Sequence, residues 1–395
     1  RVELHYDSGP RYRFGEVLLQ QDLLDDELLR RYIPFERGSP YSLNLLIDFQ
    51  QALNDSDYFS RVEVSPGQAL DEANEIPVDV ALTPRKRHRY TLGLGYGTDT
   101  GARAKFGWEI PRFNSKGHRI STEAKVSEIG YSLGVQYRVP VLNPRTDQII
   151  YKAGIVNEVT DTSDSTIRMV GASLNRGRGH WRESIALDYQ QEKFIVADDE
   201  GESSLLIPSV SWSRTWGSDF IYTLDGVRFD IRFRGASDKV ISDTSFFQFQ
   251  GGLKGITSIG KTNRIIARGQ LGSTRTDNFH QLPSSVRFFA GGAQSVRGYA
   301  YQSLGPTDAS GKVVGGKHLM VGSIELEHSF SNKWGAAIFY DAGNAINDMT
   351  EKLERGAGTG LRWNSPIGPV RIDLAYAVSQ PDQPWRIHIN IGPDL

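Results

Sequence analysis

The sequence predicts a transmembrane β-barrel of about 16 antiparallel strands, preceded by one small α+β domain. Two observations support this fold class. Helical and strand patterns are mixed up to about residue 87, and beyond it only strand patterns follow one another. These later strands carry one apolar and one charged face, and their connections alternate between short and long. A membrane barrel turns the apolar face to lipid and the charged face to the lumen, and its connections are short on one side.

Residues 9–87 read as a domain of β-α-α-β-β order, large enough for one core of its own. In one segment Leu45, Leu46, Phe49 and Leu53 recur at the spacing of a single helix face. Period-2 alternation marks the strands. The predicted strands are residues 12–19, 59–65 and 78–82, and the predicted helices are residues 25–32 and 42–54.

Residues 1–8 contain one further strand, Val2–Tyr6, which we interpret as the last strand of a preceding domain of the same kind.

The barrel is predicted over residues 88–395. Clear apolar and charged alternation occurs at residues 227–234, 370–376 and 385–391. Short connections are expected at residues 111–117, 141–146, 175–179, 331–333 and 365–369. Long ones are expected at residues 196–203, 278–315 and 347–356, and the connection at 215–226 departs from the pattern. A soluble sandwich would show the same alternation, but the connection lengths favour the barrel. Tryptophans near strand ends agree with headgroup positions; they are Trp108, Trp181, Trp212, Trp334, Trp363 and Trp385.

Composition removes several function classes. The chain has 395 residues, a net charge of −2 and no cysteine, so disulfides, thiolate metal sites and nucleic-acid binding have no support. The eight histidines have no metal-ligand spacing, and no nucleophile elbow or phosphate loop occurs. The glycine-rich run Gly356–Gly360 leads into a strand, whereas a dinucleotide loop opens a helix. We therefore expect no enzyme activity, cofactor, metal or nucleic-acid partner.

The long connection contains a distinctive segment, Arg287-Phe288-Phe289-Ala290-Gly291-Gly292, followed by Ser295-Val296-Arg297-Gly298-Tyr299. Glycines permit tight backbone turns, so this segment is able to fold back into the barrel. An arginine inside a barrel needs a charged partner. The candidate partners on lumen-facing positions of the next strands are Glu325, Glu327 and Asp341.

Val296-Arg297-Gly298-Tyr299 matches the VRGY motif of the BamA/TamA superfamily, and the chain resembles this family in further blocks. These blocks are residues 287–292, 338–344 and 358–373, in the family's order. The small domain resembles a POTRA domain, and its opening Gly9-Pro10-Arg11-Tyr12-Arg13-Phe14-Gly15 is similar to the usual one. The resemblance implies that Arg297 pairs with Glu325 and Asp341 and thereby fixes the long connection, with Val296, Gly298 and Tyr299 around it.

Within this family the chain resembles TamA-like members in residues 370–375 and in its ending Gly392-Pro393-Asp394-Leu395. The resemblance implies an outer-membrane protein of a Gram-negative bacterium with its POTRA domain in the periplasm. It further implies a role in inserting or secreting autotransporter-type and other β-barrel substrates, and a TamB-like partner in the inner membrane. Outer-membrane lipid is the expected surrounding.

The family also implies a weak lateral seam between the first and last barrel strands. Gly93, Gly95 and Gly97 fall on lumen-facing positions of the first strand, and glycine weakens a strand. Ile389 and Gly392 belong to the last strand. The same glycines equally permit barrel curvature. Four alternative functions stay open: a two-partner secretion pore, a BamA-like general insertase, a passive porin and a soluble all-β binding protein.

Overall fold

The structure is a computed structural model that describes residues 11–70, 74–217, 222–365, 368–380, 382 and 385–391. The interpretation of residues 1–8 as a preceding tail strand, and the seam position Gly392, lie outside these described residues. The chain divides into two compact units. The first takes residues up to Tyr90 together with Gly107–Thr122 and Gln136–Ile150, and the second takes Thr91–Phe106, Glu123–Val135 and the chain from Tyr151 onward.

The first unit contains the α+β domain, whose β-α-α-β-β order is confirmed. Its elements are β1 (Arg13–Gln20), α1 (Asp26–Arg30), α2 (Leu43–Asp55), β2 (Phe59–Pro66) and β3 (Glu75–Pro84). The sheet order is β1-β3-β2, with β1 parallel and β2 antiparallel to the central β3. The predicted face of α2 is the buried one, because Leu46, Phe49, Ala52 and Leu53 point into the core. Phe14 stacks on Phe35 within this core, with ring centroids 3.8 Å apart.

The first unit also includes the turn around Gly117, which connects two strands of the barrel sheet. This turn packs on the residues that follow α2. The Tyr58 hydroxyl donates a hydrogen bond to the Gly117 carbonyl oxygen over 2.7 Å. The Arg119 guanidinium lies 4.8 Å from the centroid of the Tyr58 ring. Gly117 has a φ of +70°, and a Cβ there would lie 2.5 Å from a methyl carbon of Leu28. Only glycine fits this turn without displacing its neighbours.

Within the described residues the barrel sheet has 16 strands in chain order, which confirms the predicted number and antiparallel arrangement. The strands are β4 (Arg89–Gly97), β5 (Gly101–Ile110), β6 (Arg119–Ser127), β7 (Gly130–Pro140), β8 (Gln148–Val159), β9 (Ser163–Arg178), β10 (Trp181–Val196), β11 (Asp199–Gly217), β12 (Gly226–Ala236), β13 (Phe246–Ile259), β14 (Asn263–Arg275), β15 (His318–Ser329), β16 (Trp334–Ile346), β17 (Glu354–Ser365), β18 (Gly368–Ala377) and β19 (Arg386–Ile391). No helix in the described residues is long and apolar enough to cross a membrane.

Alternation along the strands separates a lipid-facing surface from an inner one. On β15 and β16 the outward side chains Ile324, Leu326 and Ile338 are more than 40% exposed, whereas Glu325 and Asp341 between them are buried. Apolar residues that are exposed and acidic residues that are buried invert the pattern of a soluble domain. This inversion fits a wall with lipid outside and a filled lumen inside.

The connection expected at residues 196–203 was wrong. Strands β10 and β11 pair from Val196 and Asp199 onward, so only Ala197 and Asp198 connect them. Ala197 has a φ of +55°, as tight hairpin turns require. The acidic and serine residues that read as a loop continue the ladder instead, because polar side chains do not prevent backbone pairing at a strand end.

We expect Phe49→Ala to lower the free energy of opening of the α+β domain by about 3–5 kcal/mol, since it empties a fully buried site in the core. Hydrogen-exchange mass spectrometry of α2 peptides in the whole chain measures this quantity. Ile47→Ala is the control, because Ile47 lies on the same helix but is exposed, and its change should stay within about 0.5 kcal/mol. Equal effects of the two substitutions would contradict the assigned core.

Candidate functional site

The segment 276–317 between β14 and β15, here called the lumenal loop, folds against the inner wall of the barrel. Two short 3-10 helices, Phe279–Gln281 and Ser284–Val286, shape its first part. Val296 and Tyr299 are buried in a cluster with Val321 of β15 and Ala377 of β18. The segment is thus held inside the barrel by apolar packing as well as by polar contacts.

Arg297 is the central cation of the site and is only 3% exposed. Its Nε and Nη2 atoms donate to the two carboxylate oxygens of Asp341 over 2.7 and 2.9 Å. Its Nη1 atom donates to Glu325 over 2.6 Å and to Asp373 over 3.1 Å. The guanidinium also lies 3.4 Å from the centroid of the Phe339 ring. A planar guanidinium suits this arrangement, because it donates in a fixed fork to several carboxylates at once.

Two arginines of the barrel wall extend this network. Arg362 on β17 donates to Glu325, Glu327 and Asp373 over 2.6, 2.8 and 2.6 Å. Arg264 on β14 donates to the other oxygen of Glu327 over 2.5 Å. The lumenal charge cluster therefore contains these residues: Arg264, Arg297, Arg362, Glu325, Glu327, Asp341 and Asp373. It joins five consecutive strands, β14 to β18, to the lumenal loop.

Close backbone approach brings the VRGY segment onto the last strands. A Cβ at Gly356 of β17 would lie 1.9 Å from the Arg297 carbonyl oxygen. Gly298 has a φ of +98°, and its own Cβ would lie 3.0 Å from the Ala377 nitrogen. Tyr299 donates through its hydroxyl to a carboxylate oxygen of Glu354 over 3.1 Å. Burial, and then the Glu354 charge, raise the pKa of the Tyr299 phenol to about 12, so it remains a donor at neutral pH.

Arg287, the arginine of the upstream motif, ties the lumenal loop to itself. Its guanidinium donates to the carbonyl oxygens of Leu282, Val314 and His280 over 2.8, 3.1 and 2.9 Å. The sequence predicts Arg287 as part of a distinctive segment of the long connection but does not predict these contacts. One guanidinium with five donors satisfies three otherwise distant carbonyls, which closes the loop into a compact unit.

The opposite wall supplies another anchor that sequence reasoning missed. Glu192 on β10 is fully buried and accepts from the Ser165 hydroxyl of β9 over 2.9 Å. It also accepts from the Ser284 hydroxyl and the Ser285 backbone N–H of the lumenal loop, over 2.7 and 3.2 Å. A buried carboxylate requires several such donors. The loop therefore contacts both sides of the lumen.

The residues predicted to anchor the loop fall into two groups. Arg297, Glu325 and Asp341 contact one another as described, with Val296, Gly298 and Tyr299 around them. Glu327, a candidate partner of Arg297, pairs with Arg264 and Arg362 instead. Asp373, Arg362 and Arg264 were not predicted as partners. The sequence contained a signal for these three residues, because each is a charged side chain on a lumen-facing position of a strand whose apolar and charged residues alternate.

The predicted seam glycines do not all face the seam. At Gly97 a Cβ would lie 3.6 Å from the Ile389 carbonyl oxygen of β19, so this residue lies at the seam. The nearest atom to a Cβ at Gly93 is the Cβ of Lys105 on β5, at 3.7 Å. At Gly95 a Cβ would lie 2.8 Å from Nε of Arg103. Gly95 thus leaves room for a guanidinium that crosses the first strand.

The part of the seam that the structure describes, up to Ile391, has few hydrogen bonds. The backbone N–H of Thr98 donates to the Ile389 carbonyl oxygen over 3.4 Å. The Ile389 N–H donates to the Thr98 hydroxyl over 3.2 Å. Arg103 donates to the Ile391 carbonyl oxygen over 3.4 Å. By contrast, β18 and β19 pair continuously from Val370 opposite Ile391 to Ala375 opposite Arg386. Within the described residues, β4 and β19 are the two ends of the hydrogen-bonded strand order.

We expect Arg297→Ala to release the lumenal loop, because it removes the cation through which the loop pairs with three buried carboxylates of the wall. Breaking a buried ion pair from one side costs about 3–5 kcal/mol. Limited proteolysis within residues 276–317 and heat-modifiability of the folded barrel on gels measure the effect. Lys312→Ala is the control, since Lys312 lies in the same loop but pairs with Asp198 in solvent, and its digestion pattern should not change. An unchanged pattern in Arg297→Ala would contradict the anchoring role.

Comparison with known proteins agrees with this architecture. Residues 88–394 match the Omp85 superfamily domain, and residues 12–85 match the POTRA family, described as a surface antigen variable number repeat. The chain is 23% identical over 413 residues to the outer membrane protein assembly factor BamA of Neorickettsia risticii, covering 96% of this chain and 54% of that protein. It is 24% identical over 378 residues to the same factor of Nitratidesulfovibrio vulgaris, covering 90% and 47%. The chain thus spans about half the length of these curated relatives.

Solved structures show the same fold at lower identity. BamA from Haemophilus ducreyi lacking POTRA domains 1–3 superposes with a TM-score of 0.83 at 17% identity, covering 98% of this chain and 85% of that one. CdiB from Acinetobacter baumannii gives a TM-score of 0.61 at 15% identity, covering 96% and 73%. Together with the family match over most of its length, these features show that the chain belongs to the BamA/TamA group of the Omp85 superfamily, as a Gram-negative outer-membrane barrel with a periplasmic POTRA domain.

Proposed function

We propose that this chain inserts or translocates other outer-membrane proteins, and that a substrate strand adds to the barrel at the seam between β4 and β19. The observation that carries the proposal is the sparse pairing between the described residues of this seam. Thr98 and Ile389 exchange two hydrogen bonds there, and one of these ends on a side-chain hydroxyl. An edge with free backbone donors and acceptors is the template for strand addition.

The seam is proposed to be closed at rest and opened by substrate. Unpaired backbone groups in hydrocarbon cost several kcal/mol each, so two free edges cannot persist in lipid. An incoming strand offers the same hydrogen bonds to each edge. Substrate pairing therefore replaces the few contacts of Thr98, Ile389 and Arg103 at little net cost, whereas opening without substrate is costly.

The filled lumen argues against a passive porin. The lumenal loop contacts β15, β16 and β18 through Arg297 and contacts β10 through Glu192. A porin keeps a water-filled channel, but here buried ion pairs and apolar packing occupy the inside. This loop would have to leave both anchors before a polypeptide could pass through the lumen, which favours the lateral route.

For the substrate class we propose autotransporter-type and other β-barrel proteins, with a TamB-like protein as the inner-membrane partner and outer-membrane lipid as the surrounding. This finer assignment rests on the resemblance of residues 370–375 to TamA-like members. The role is one of binding and assembly, so we propose no enzymatic step and no cofactor.

Two other family roles have specific support. The curated relatives are named BamA assembly factors, which favours a general barrel insertase. The likeness to CdiB is the ground for a two-partner secretion role. Substrate range separates these roles: reduced assembly of all barrels indicates an insertase, loss of autotransporter display alone indicates the TamA-like role, and loss of one soluble exoprotein indicates secretion.

We expect a disulfide between Thr98→Cys and Ile389→Cys to abolish autotransporter display, and reductant to restore it, because the bond locks the two seam edges together. Cell-surface display in a strain lacking the unaltered protein measures this. These 395 residues contain no cysteine, so within them the engineered pair forms without competition from another thiol.

The control locks two strands that are not at the seam. Leu361 of β17 and Ile372 of β18 lie directly opposite each other, and both are lipid-exposed. A disulfide between Leu361→Cys and Ile372→Cys should leave display unchanged. Normal display by a fully crosslinked Thr98–Ile389 barrel would exclude the lateral route.

A further inference from the structure

The part of the lumenal loop from Gly291 to Tyr299 contacts both edges of the seam from inside the barrel. We propose that it is a strap across the seam, anchored to the last strand by His388 and to the first hairpin by Asp99. In this proposal the strap controls whether the seam opens, and release at Asp99 precedes opening. The inference rests on the proposed use of the seam, but the strap itself acts without substrate.

The anchor on the last strand is a buried histidine. The Gly298 backbone N–H donates to Nε2 of His388 over 3.0 Å, and the His388 side chain is 2% exposed. A side chain at position 298 would meet the backbone of β18 at Ala377, so only glycine brings its N–H this close. An Nε2 that accepts a hydrogen bond carries no proton, so a neutral ring has its proton on Nδ1. The VRGY glycine thus contacts β19 as its neighbour Arg297 contacts β15, β16 and β18.

The anchor on the first hairpin is a carboxylate. Asp99 lies in the turn between β4 and β5, and its Oδ2 accepts from the Ala293 backbone N–H over 2.8 Å. A Cβ at Gly292, whose φ is +102°, would lie 2.8 Å from the same oxygen. The other oxygen of Asp99 lies 3.9 Å from Nδ1 of His388. Among the described residues that nitrogen has no hydrogen-bond partner, so Asp99 is the acidic group facing its proton.

Between described residues, these contacts are comparable in number to the hydrogen bonds that close the seam directly. Thr98 and Ile389 exchange two hydrogen bonds, and Arg103 adds a long one to Ile391. The strap adds a hydrogen bond on each edge and the approach of His388 to Asp99. Losing either anchor therefore removes a substantial part of what holds the edges together.

The two ends of the strap are held unequally. The end next to β19 is held much more strongly than the end next to the first hairpin. Arg297 and its buried carboxylates join the strap to the wall that carries β19, and Arg268 of β14 donates to the Ser295 carbonyl oxygen over 3.2 Å. On the other side the loop holds the first hairpin through Asp99, and its next contacts there are from Tyr301 and Gln302 to Glu158 on β8. The loop therefore stays with β14–β19, and the β4–β5 hairpin is the part that moves away.

Distances across the seam test the strap directly. Spin labels on Leu94→Cys and Ile387→Cys, both strongly exposed on the outer surface, report separation of β4 and β19 by double electron–electron resonance in lipid nanodiscs without substrate. We expect a narrow distance distribution in the otherwise unaltered barrel. Asp99→Ala and His388→Leu should each raise the separated population roughly 2- to 10-fold, as the loss of one buried hydrogen bond implies.

Two matched controls separate the strap from general loosening of the loop. Gln294 lies in the same segment but pairs with Arg268 of β14, away from the seam, so Gln294→Ala should leave the distances unchanged. Asp99→Asn keeps an oxygen acceptor for Ala293, so its distribution should lie close to that of the unaltered barrel. Heat-modifiability of each variant on gels shows whether the barrel is folded. If His388→Leu does not fold, the comparison of Asp99→Ala with Asp99→Asn still tests the strap.

The double variant distinguishes a strap from two independent local contacts. If Asp99 and His388 hold the two ends of one segment, Asp99→Ala with His388→Leu should open the seam no further than the larger single effect. Additive effects, as expected for independent sites, or unchanged distances in both single variants, would overturn the strap. Normal strap behaviour with intact display by the Thr98–Ile389 crosslinked barrel would instead reject only the proposed function.

Discussion

The burial of charge inside the barrel is the constraint on which the rest of the structure depends. A wall whose outer side meets lipid must place its charged side chains inside, where an unpaired charge is expensive. Four carboxylates on β15, β16 and β18 therefore need cations, and the wall arginines Arg264, Arg268 and Arg362 each pair with at least one of them. Arg297 adds a further guanidinium from the lumenal loop, which pairs with Glu325, Asp341 and Asp373. The loop cation and the wall carboxylates thus stabilise each other.

This mutual stabilisation explains why a connection of more than 40 residues is ordered. Long loops without secondary structure are normally mobile or functional. Here Arg287 closes the loop on itself, Arg297 holds it to one wall and Glu192 holds it to the other. Glycines at 291, 292 and 298 adopt positive φ values that other residues avoid. They let the backbone touch the strands, so the contact with the seam is made by main-chain N–H groups.

The interior of the barrel is held by many contacts, whereas the seam between β4 and β19 is weakly paired. The seam is therefore where we expect the barrel wall to separate. Ladders such as that between β10 and β11 are long and continuous, whereas β4 and β19 are joined by a few bonds near Thr98 and Ile389. Motion is expected where the fewest backbone bonds must break. The loop passes across this boundary, which places the VRGY segment next to the edge where a substrate strand would add.

The sequence by itself determined the fold class of each domain, which is a small α+β domain followed by an antiparallel β-barrel. Periodicity gave the order of the small domain and the 16 strands, because side-chain alternation is a local property that burial on one face imposes. It also gave Arg297 and two of its partners through a family resemblance. It failed at residues 196–203, where polarity was taken for a loop although backbone pairing tolerates polar residues at a strand end.

Only the tertiary structure decided which distant residues meet. Asp373, Arg362 and Arg264 carry ordinary lumen-facing charges in the sequence. Strand register brings Arg362 and Arg264 to Glu325 and Glu327, and it brings Asp373 to Arg362. Of the three seam glycines only Gly97 lies against β19, because the register of the first and last strands is set by closure of the whole sheet. The contact of His388 with Gly298 joins residues 90 positions apart. No local pattern encodes such a pair, since it depends on where the loop and the last strand come together.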